Sequence, residues 1–268
     1  MSDGRARGID VSHNDGLIDW TQVAPAGISF AYAKATQGVT FTDNQFSANW
    51  QAMKDAGVLR GAYHFIGFPA GDSQDEMVDN VHSQIDHFLN VIGTPQAGDL
   101  PPMLDLEDGD SPAKWKALIA SNRATALAVV AEAISYLATQ LGNVVPVIYT
   151  GSFWTSELGD PTADQMPFSS FPLWLAQYPI DVHPPKPIPS PPGTDSGEAS
   201  GFDEYDSVLS GHTPRHMPAV WGGADDPNWK IWQFSEYGSI SAITSSFLDL
   251  DVFNGTVDDL RAFCIRSS

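Results

Sequence analysis

The sequence predicts an α/β fold in which a largely parallel sheet of eight strands closes into a barrel. Three observations lead there. Short apolar or β-branched runs alternate with helical patterns through the first half of the chain, which is the signature of strand–helix–strand units. Eight such runs are present, a number that suits closure. The 268 residues, 42% of them hydrophobic, fit one large α/β domain with a sizeable core. The chain is read as a single domain over residues 1–268, carrying an insertion at about 179–228.

The elements follow in order. RGIDVSH (7–13) reads as strand one, and ISFAYAKAT (28–36) as strand two through its β-branched and aromatic content. Residues 45–56 fit a short helix closed by Gly57, and LRGAYHFI (59–66) is strand three. Residues 74–92 place Met77, Val81, Ile85, Phe88, Leu89 and Ile92 at helical spacing, a buried stripe with no cofactor signal. LPPMLDLED (100–108) is strand four, entered through Pro101 and Pro102. Residues 113–141 form a long amphipathic helix ended by Gly142. VPVIYTG (145–151), PLWLAQY (172–178), KIWQFS (230–235) and SFLDLDVF (246–253) are strands five to eight, and 256–264 is a last short helix. Helices thin out after strand five. VHPPKPIPSPPGTDSGEASG (182–201) breaks the rhythm with Pro, Gly and Ser. With the residues that follow, to about Asp226, it reads as a solvated, partly extended insertion, or as a flap over the cleft.

Charge narrows the partners. Against 33 Asp and Glu stand 13 Lys and Arg, a formal net charge of −20. Such a surface repels phosphate backbones and anionic bilayers, leaving a neutral or cationic polymer. Eight Trp, seven Tyr and fourteen Phe can pack a core or stack on flat ligand faces. The single cysteine, Cys264, permits no intrachain disulfide and is read as inert. The N-terminus MSDGRARGID shows no apolar leader, so no signal peptide is expected. No uninterrupted apolar run of about 18 residues occurs, and no membrane-spanning helix is expected.

The chemistry is carried by acids. In a parallel barrel the C-terminal strand ends form the functional mouth. Asp10 lies late in strand one, Asp105 and Glu107 at the end of strand four, and Asp249 and Asp251 in strand eight. Strands one and eight are neighbours in a closed ring, so these acids converge. Residues two apart on a strand share a face at roughly 6.6 Å, so Asp105 and Glu107 point the same way. Crowded carboxyls repel one another, and at least one pKa rises. A retained proton near neutrality suits protonation of a glycosidic oxygen beside a second, ionised carboxylate. Clustered carboxylates also hold Mg²⁺ or Ca²⁺, with His13 and His64 as possible additions, although no compact ligand motif such as HExxH is present.

The ordered motifs RGIDVSH, AYAKATQG, GAYHF, MLDLED, YTG, LWLAQY, WQFS and LDLDVFNG resemble glycoside hydrolase family 25, from about residue 7 to 255. The resemblance implies a modified TIM-like barrel of eight strands with about five helices. It also implies hydrolysis, with net retention, of the β-1,4 bond between N-acetylmuramic acid and N-acetylglucosamine in peptidoglycan. Glu107 matches the family's general acid, Asp105 its partner, Asp10 the first-strand acid and Asp249 the last-strand acid. Asp105 is left open as a covalent nucleophile or as a group orienting the substrate's 2-acetamido substituent. Lys34, Tyr63, His64, Tyr149, Trp174, Tyr178 and Gln233 are the expected substrate-binding residues, with Trp232 beside the pocket floor. The chain departs from the family pattern in HNDG (13–16), in the long insertion, and in Asp251, which stands where Asn is common. No cofactor and no metal are expected. The expected partner is the glycan strand of a cell wall, met by a monomer without nucleic acid or membrane insertion, through a delivery route the sequence leaves open. The alternatives are a glycan-binding barrel that has lost catalysis and a metal-dependent hydrolase using the same acids.

Overall fold

The computed structural model describes residues 2–109, 111–178, 201–222, 228–245 and 247–267. Its strands are β1 (Arg7–Val11), β2 (Phe30–Gln37), β3 (Phe41–Thr42), β4 (Leu59–Phe65), β5 (Met103–Leu106), β6 (Val147–Thr150), β7 (Leu173–Ala176), β8 (Ile231–Gly238) and β9 (Leu248–Phe253). The pairing order is β1-β9-β8-β7-β6-β5-β4-β2, with β1 returning onto β2. The eight-stranded barrel is therefore closed, and its strands have no free edge. The two-residue β3 lies outside the ring, antiparallel to the end of β2.

Seven of the strands run parallel, but β9 is antiparallel to both neighbours. This changes how its acids reach the mouth. A parallel pair needs a crossover of a dozen or more residues, and the link from β8 to β9 is a short hairpin connection. Because β9 is reversed, the early residue Asp249 sits beside Asp10. In a parallel strand it would have pointed toward the opposite end.

Side chains alternate across the pleat, which gives the protein two cores. Phe30, Tyr32, Met103, Val147, Trp174, Ile231 and Phe253 fill the lower barrel. The outward residues, among them Ile9, Leu104, Ile148, Leu175, Trp232 and Leu250, meet the helical layer. That layer contains α1 (Trp20–Val23), α2 (Phe46–Asp55), α3 (Gln74–Ile92), α4 (Pro112–Leu141), α5 (Phe202–Glu204) and α6 (Val257–Phe263). Helix α3 is set at both ends by local chemistry. Ser73 and Glu76 form a reciprocal capping box at its start, and Gly93 ends it at a positive φ of 66°.

Three expectations need correction. The thirty-residue α4 is broken at Asn122, whose φ of −156° and ψ of 77° are not helical. Its Oδ1 accepts the Thr125 N–H at 3.2 Å and so caps a second helix. This element also contains a stretch with mean hydropathy 1.4, long and apolar enough by composition to cross a membrane. Here Val129, Val130, Ile134 and Leu137 belong to the core against the barrel. The residues after the Pro-rich stretch are not a solvated loop either. Phe202, Tyr205, Leu209, Val220 and Trp221 are buried, and Arg7 pairs with Asp206 at 2.6 Å while stacking on Phe202. Aromatic residues interspersed at 202–221 outweigh the polar composition around them. Residues 182–200, the Pro-rich part of the insertion, lie outside the described residues.

Close packing inside the barrel depends on missing side chains. Gly8 and Gly61 occupy inward positions, and a Cβ at either would overlap the rings of Phe30 or Tyr32. Gly61→Ala is expected to destabilise the fold by about 1–3 kcal/mol through overpacking, measured by urea unfolding. Unchanged stability would show that the Tyr32 ring is free to shift.

Candidate active site

The upper barrel is lined with polar side chains where a TIM-like mouth would be. Alternation on β5 turns Asp105 inward, and Glu107, just past the strand end, follows it on the same face. Asp10 comes from β1, and its register partner on β9 is Asp249. Asp251 lies two residues deeper on β9 and is fully buried. The distant segments predicted from sequence therefore converge.

Neutral donors hold this cluster together. The hydroxyls of Tyr149 and Tyr178 donate to Gln233 Oε1 at 2.8 and 2.7 Å. Gln233 Nε2 then donates to Asp10 Oδ2 at 2.8 Å. The Tyr149 hydroxyl also reaches the Glu107 carboxyl, so it links the two acidic groups. Lys34 Nζ meets Gln37 Oε1 at 2.6 Å and lies 4.6 Å over the Phe65 ring, and its charge is felt by Asp105 and Glu107. A bulge at Ala35 breaks the register between β2 and β4, which sends Lys34 and Gln37 to one side and Thr36 to the other. A groove of about 610 Å³, lined by Lys34, Phe41, Phe65 and Phe68 among others, opens from this side of the cluster.

Burial dominates the electrostatics. It pushes Asp10 and Glu107 up to about 7, with neighbouring carboxyls adding to the rise. It raises Asp105, Asp249 and Asp251 well above the usual carboxylate range. Charged carboxyls are poorly solvated here and repel one another, so the cluster keeps protons that exposed acids would have lost.

Several predicted residues meet at the mouth and others do not. Tyr63 is inside the barrel, within the electrostatic reach of Asp10, Asp105 and Asp249. His64, the next residue, faces away. Its Nε2 donates to Gln84 Oε1 at 3.4 Å, its Nδ1 accepts from Thr36 Oγ1 at 2.7 Å, and it packs on Phe88. Burial pushes its imidazole down to about 3. It belongs between sheet and α3, and strand alternation is the reason. Trp174 is also displaced from its expected role. It is fully buried below the mouth, donates Nε1 to Asp251 Oδ1 at 3.0 Å, and packs on Tyr32 and Tyr149, leaving no open ring for a sugar. Trp232 faces outward and donates to the Gln177 carbonyl.

Sequence reasoning missed Asp15 and Glu236. Asp15 accepts the Ser12 N–H at 2.9 Å, is buried, and its charge raises Asp10. It follows the end of β1, where strand alternation no longer predicts direction. The charge of Glu236 acts on Glu107 and Asp249. Irregular pairing after Gln233 hides its side-chain direction from a period-two reading.

These raised pKa values carry a stability cost with a definite sign. A carboxyl with a higher pKa when folded favours the folded state as pH falls, and it opposes folding fully once pH exceeds the folded value. Glu107→Gln is therefore expected to be more stable than wild type at pH 8, by roughly 1–3 kcal/mol. The difference should vanish by about pH 4. Urea unfolding at both pH values tests this, and an equal or opposite difference at pH 8 would contradict the burial argument.

With the geometry in place, comparison with known proteins gives a consistent result. The family model for Glycosyl hydrolases family 25 matches residues 9–243. Lysozyme M1 of Streptomyces globisporus is 30% identical over 260 residues, covering 96% of this chain and 70% of that protein. The solved structure of a bacterial lysozyme from Streptomyces coelicolor is 27% identical, covers 97% of both chains and superposes with a TM-score of 0.69. A muramidase from Acremonium alcalophilum is 25% identical, with 97% and 98% coverage and a TM-score of 0.67. The closed barrel, the convergent acids and these similarities together make the chain a glycoside hydrolase of family 25.

Proposed function

We propose that the protein is a muramidase that cleaves the β-1,4 bond between N-acetylmuramic acid and N-acetylglucosamine in peptidoglycan, acting on the cell wall as one catalytic domain. The observation that carries this reading is Glu107, at the mouth of the barrel with its carboxyl pushed up to about 7. It stands two residues from a second inward carboxyl. The names of the related lysozymes and muramidases support the substrate class.

In this mechanism Glu107 gives its proton to the departing glycosidic oxygen and later accepts one from water, giving net retention. Tyr149 orients it. Asp105 is recessed, and among the described residues its Oδ1 meets no hydrogen-bond donor. We infer that it orients the substrate's 2-acetamido group, because an enclosed carboxyl lacks the open approach that a nucleophile needs. Asp10, fixed by Gln233, supplies negative charge as positive charge develops on the sugar, and Asp249 supports it. Lys34, Tyr63 and Tyr178 bind the glycan around the mouth, Lys34 beside the groove.

Two outcomes follow. Purified peptidoglycan treated with the wild-type protein should release reducing ends, and mass spectrometry after borohydride reduction should find them on muramic acid. Glu107→Gln should be slower by about 10²–10⁴-fold. Equal rates, or reducing ends on glucosamine, would refute the assignment. Activity should also fall as pH rises through about 7, because a general acid works only while it holds its proton. A rate that keeps rising to pH 9 would exclude Glu107 from this role.

A further inference from the structure

Asp251 is a buried carboxyl for which the mechanism above has no use. It is 0% exposed. Its Oδ1 accepts from Trp174 Nε1 at 3.0 Å, while its Oδ2 meets no N–H or O–H donor among the described residues. The group within its hydrogen-bonding reach is another carboxyl, that of Asp10. Asp10 is also hydrogen-bonded to Asp249 and accepts from Gln233 Nε2 at 2.8 Å. Two carboxylates cannot hydrogen-bond unless one carries a proton. The titratable groups facing Asp251 are Asp10 from β1, Asp249 from its own strand and the Tyr32 hydroxyl from β2. Trp174 from β7 and Gln233 on β8, the register partner of Asp251, are neutral. No cation is among these groups.

We infer that Asp251 is a positioning residue that keeps its proton and donates it to Asp10, holding Asp10 as the charged member of the buried Asp10–Asp249–Asp251 trio. The placement explains why Asp10 is the one that ionises. It accepts from the Gln233 amide, and the carboxyls of Asp249 and Asp251 both lie within hydrogen-bonding reach of it. Asp251 has one neutral donor, Trp174, and lies deeper in the barrel. A hydrogen bond to a charged acceptor stabilises the charge more than a bond between neutral groups does. Asp251 thus tunes the acid side of the reaction without touching the sugar. This inference deepens the muramidase reading and rests on it for its kinetic arm.

The test compares wild type, Asp251→Asn and Asp251→Ala. Alanine removes a donor from Asp10, so the acid limb of the kcat–pH profile should move up by about one to two pH units. KM should stay near its wild-type value. Asparagine keeps an acceptor for Trp174 and an N–H for Asp10, so it should restore the limb toward wild type. Both limbs moving to lower pH in Asp251→Asn would mean that Asp251 had carried charge, and would overturn the proposal. An unmoved limb in Asp251→Ala would overturn it as well. The second arm needs neither turnover nor the alanine variant. An infrared difference spectrum of wild type minus Asp251→Asn at neutral pH should show the C=O stretch of a protonated carboxylic acid. A carboxylate band in its place would refute the proposal. If the wild type leaves peptidoglycan intact, the muramidase reading fails while this spectrum still decides the state of Asp251.

Discussion

The controlling constraint is the burial of acidic side chains inside a closed ring of strands, where water cannot solvate their charge. Asp10, Asp105 and Asp251 are buried outright and Glu107 and Asp249 partly so, and in each burial is the largest cause of the raised pKa. The protein offsets part of it with the charge of Lys34 beside Asp105 and Glu107. It uses neutral donors, namely the Tyr149 and Tyr178 hydroxyls, the Gln233 amide and the Trp174 indole. Such donors stabilise a carboxylate without cancelling its charge. The result is a set of crowded carboxyls in one pocket, each raised above the ordinary carboxylate range.

The fold serves this constraint in specific ways. Gly8 and Gly61 make room for Phe30 and Tyr32, and the lower barrel is filled with aromatic and aliphatic side chains that close its floor. The reversal of β9 brings Asp249 up beside Asp10. The bulge in β2 after Lys34 brings Gln37 to the same side as Lys34, where the two side chains meet. Each feature costs some regularity, and each sits next to the polar cluster. Such departures from the ideal barrel are expected where a site is held at the expense of stability.

Much of this was legible in the residues, for identifiable reasons. The apolar stripe from Met77 to Ile92 announced α3, and the strand of Asp105 was readable because Pro, Gly and acidic residues bracket it. The convergence of Asp10, Asp105 and Glu107 follows once closure is assumed, whereas Asp249 joins them only because β9 is reversed. What escaped depended on direction or on tertiary context. Alternation implies that Tyr63 and His64 face opposite ways, yet sequence alone does not say which one faces inward. Trp174 lies at mid-barrel, and only the layered packing places it under the mouth. Asn122 lies in a short polar stretch, SNRAT (121–125), inside a long helical pattern, and its N-cap chemistry was overridden there by the apolar residues on either side. The residues around Phe202 and Trp221 were obscured by the Pro-rich composition next to them, although their aromatic side chains are core-forming.

The central claim is that these carboxyls keep protons near neutrality because the barrel buries them. Its most direct test is a ¹³C NMR titration of the Asp and Glu carboxyl carbons of the wild-type protein from pH 3 to 9, with the Glu107 signal assigned from Glu107→Gln. The account predicts that Glu107 and Asp10 titrate at about 7, with Asp105, Asp249 and Asp251 also raised well above the ordinary carboxylate range. If every carboxyl, Glu107 included, titrated at about 4–5, the acids would be solvated and the account would be wrong.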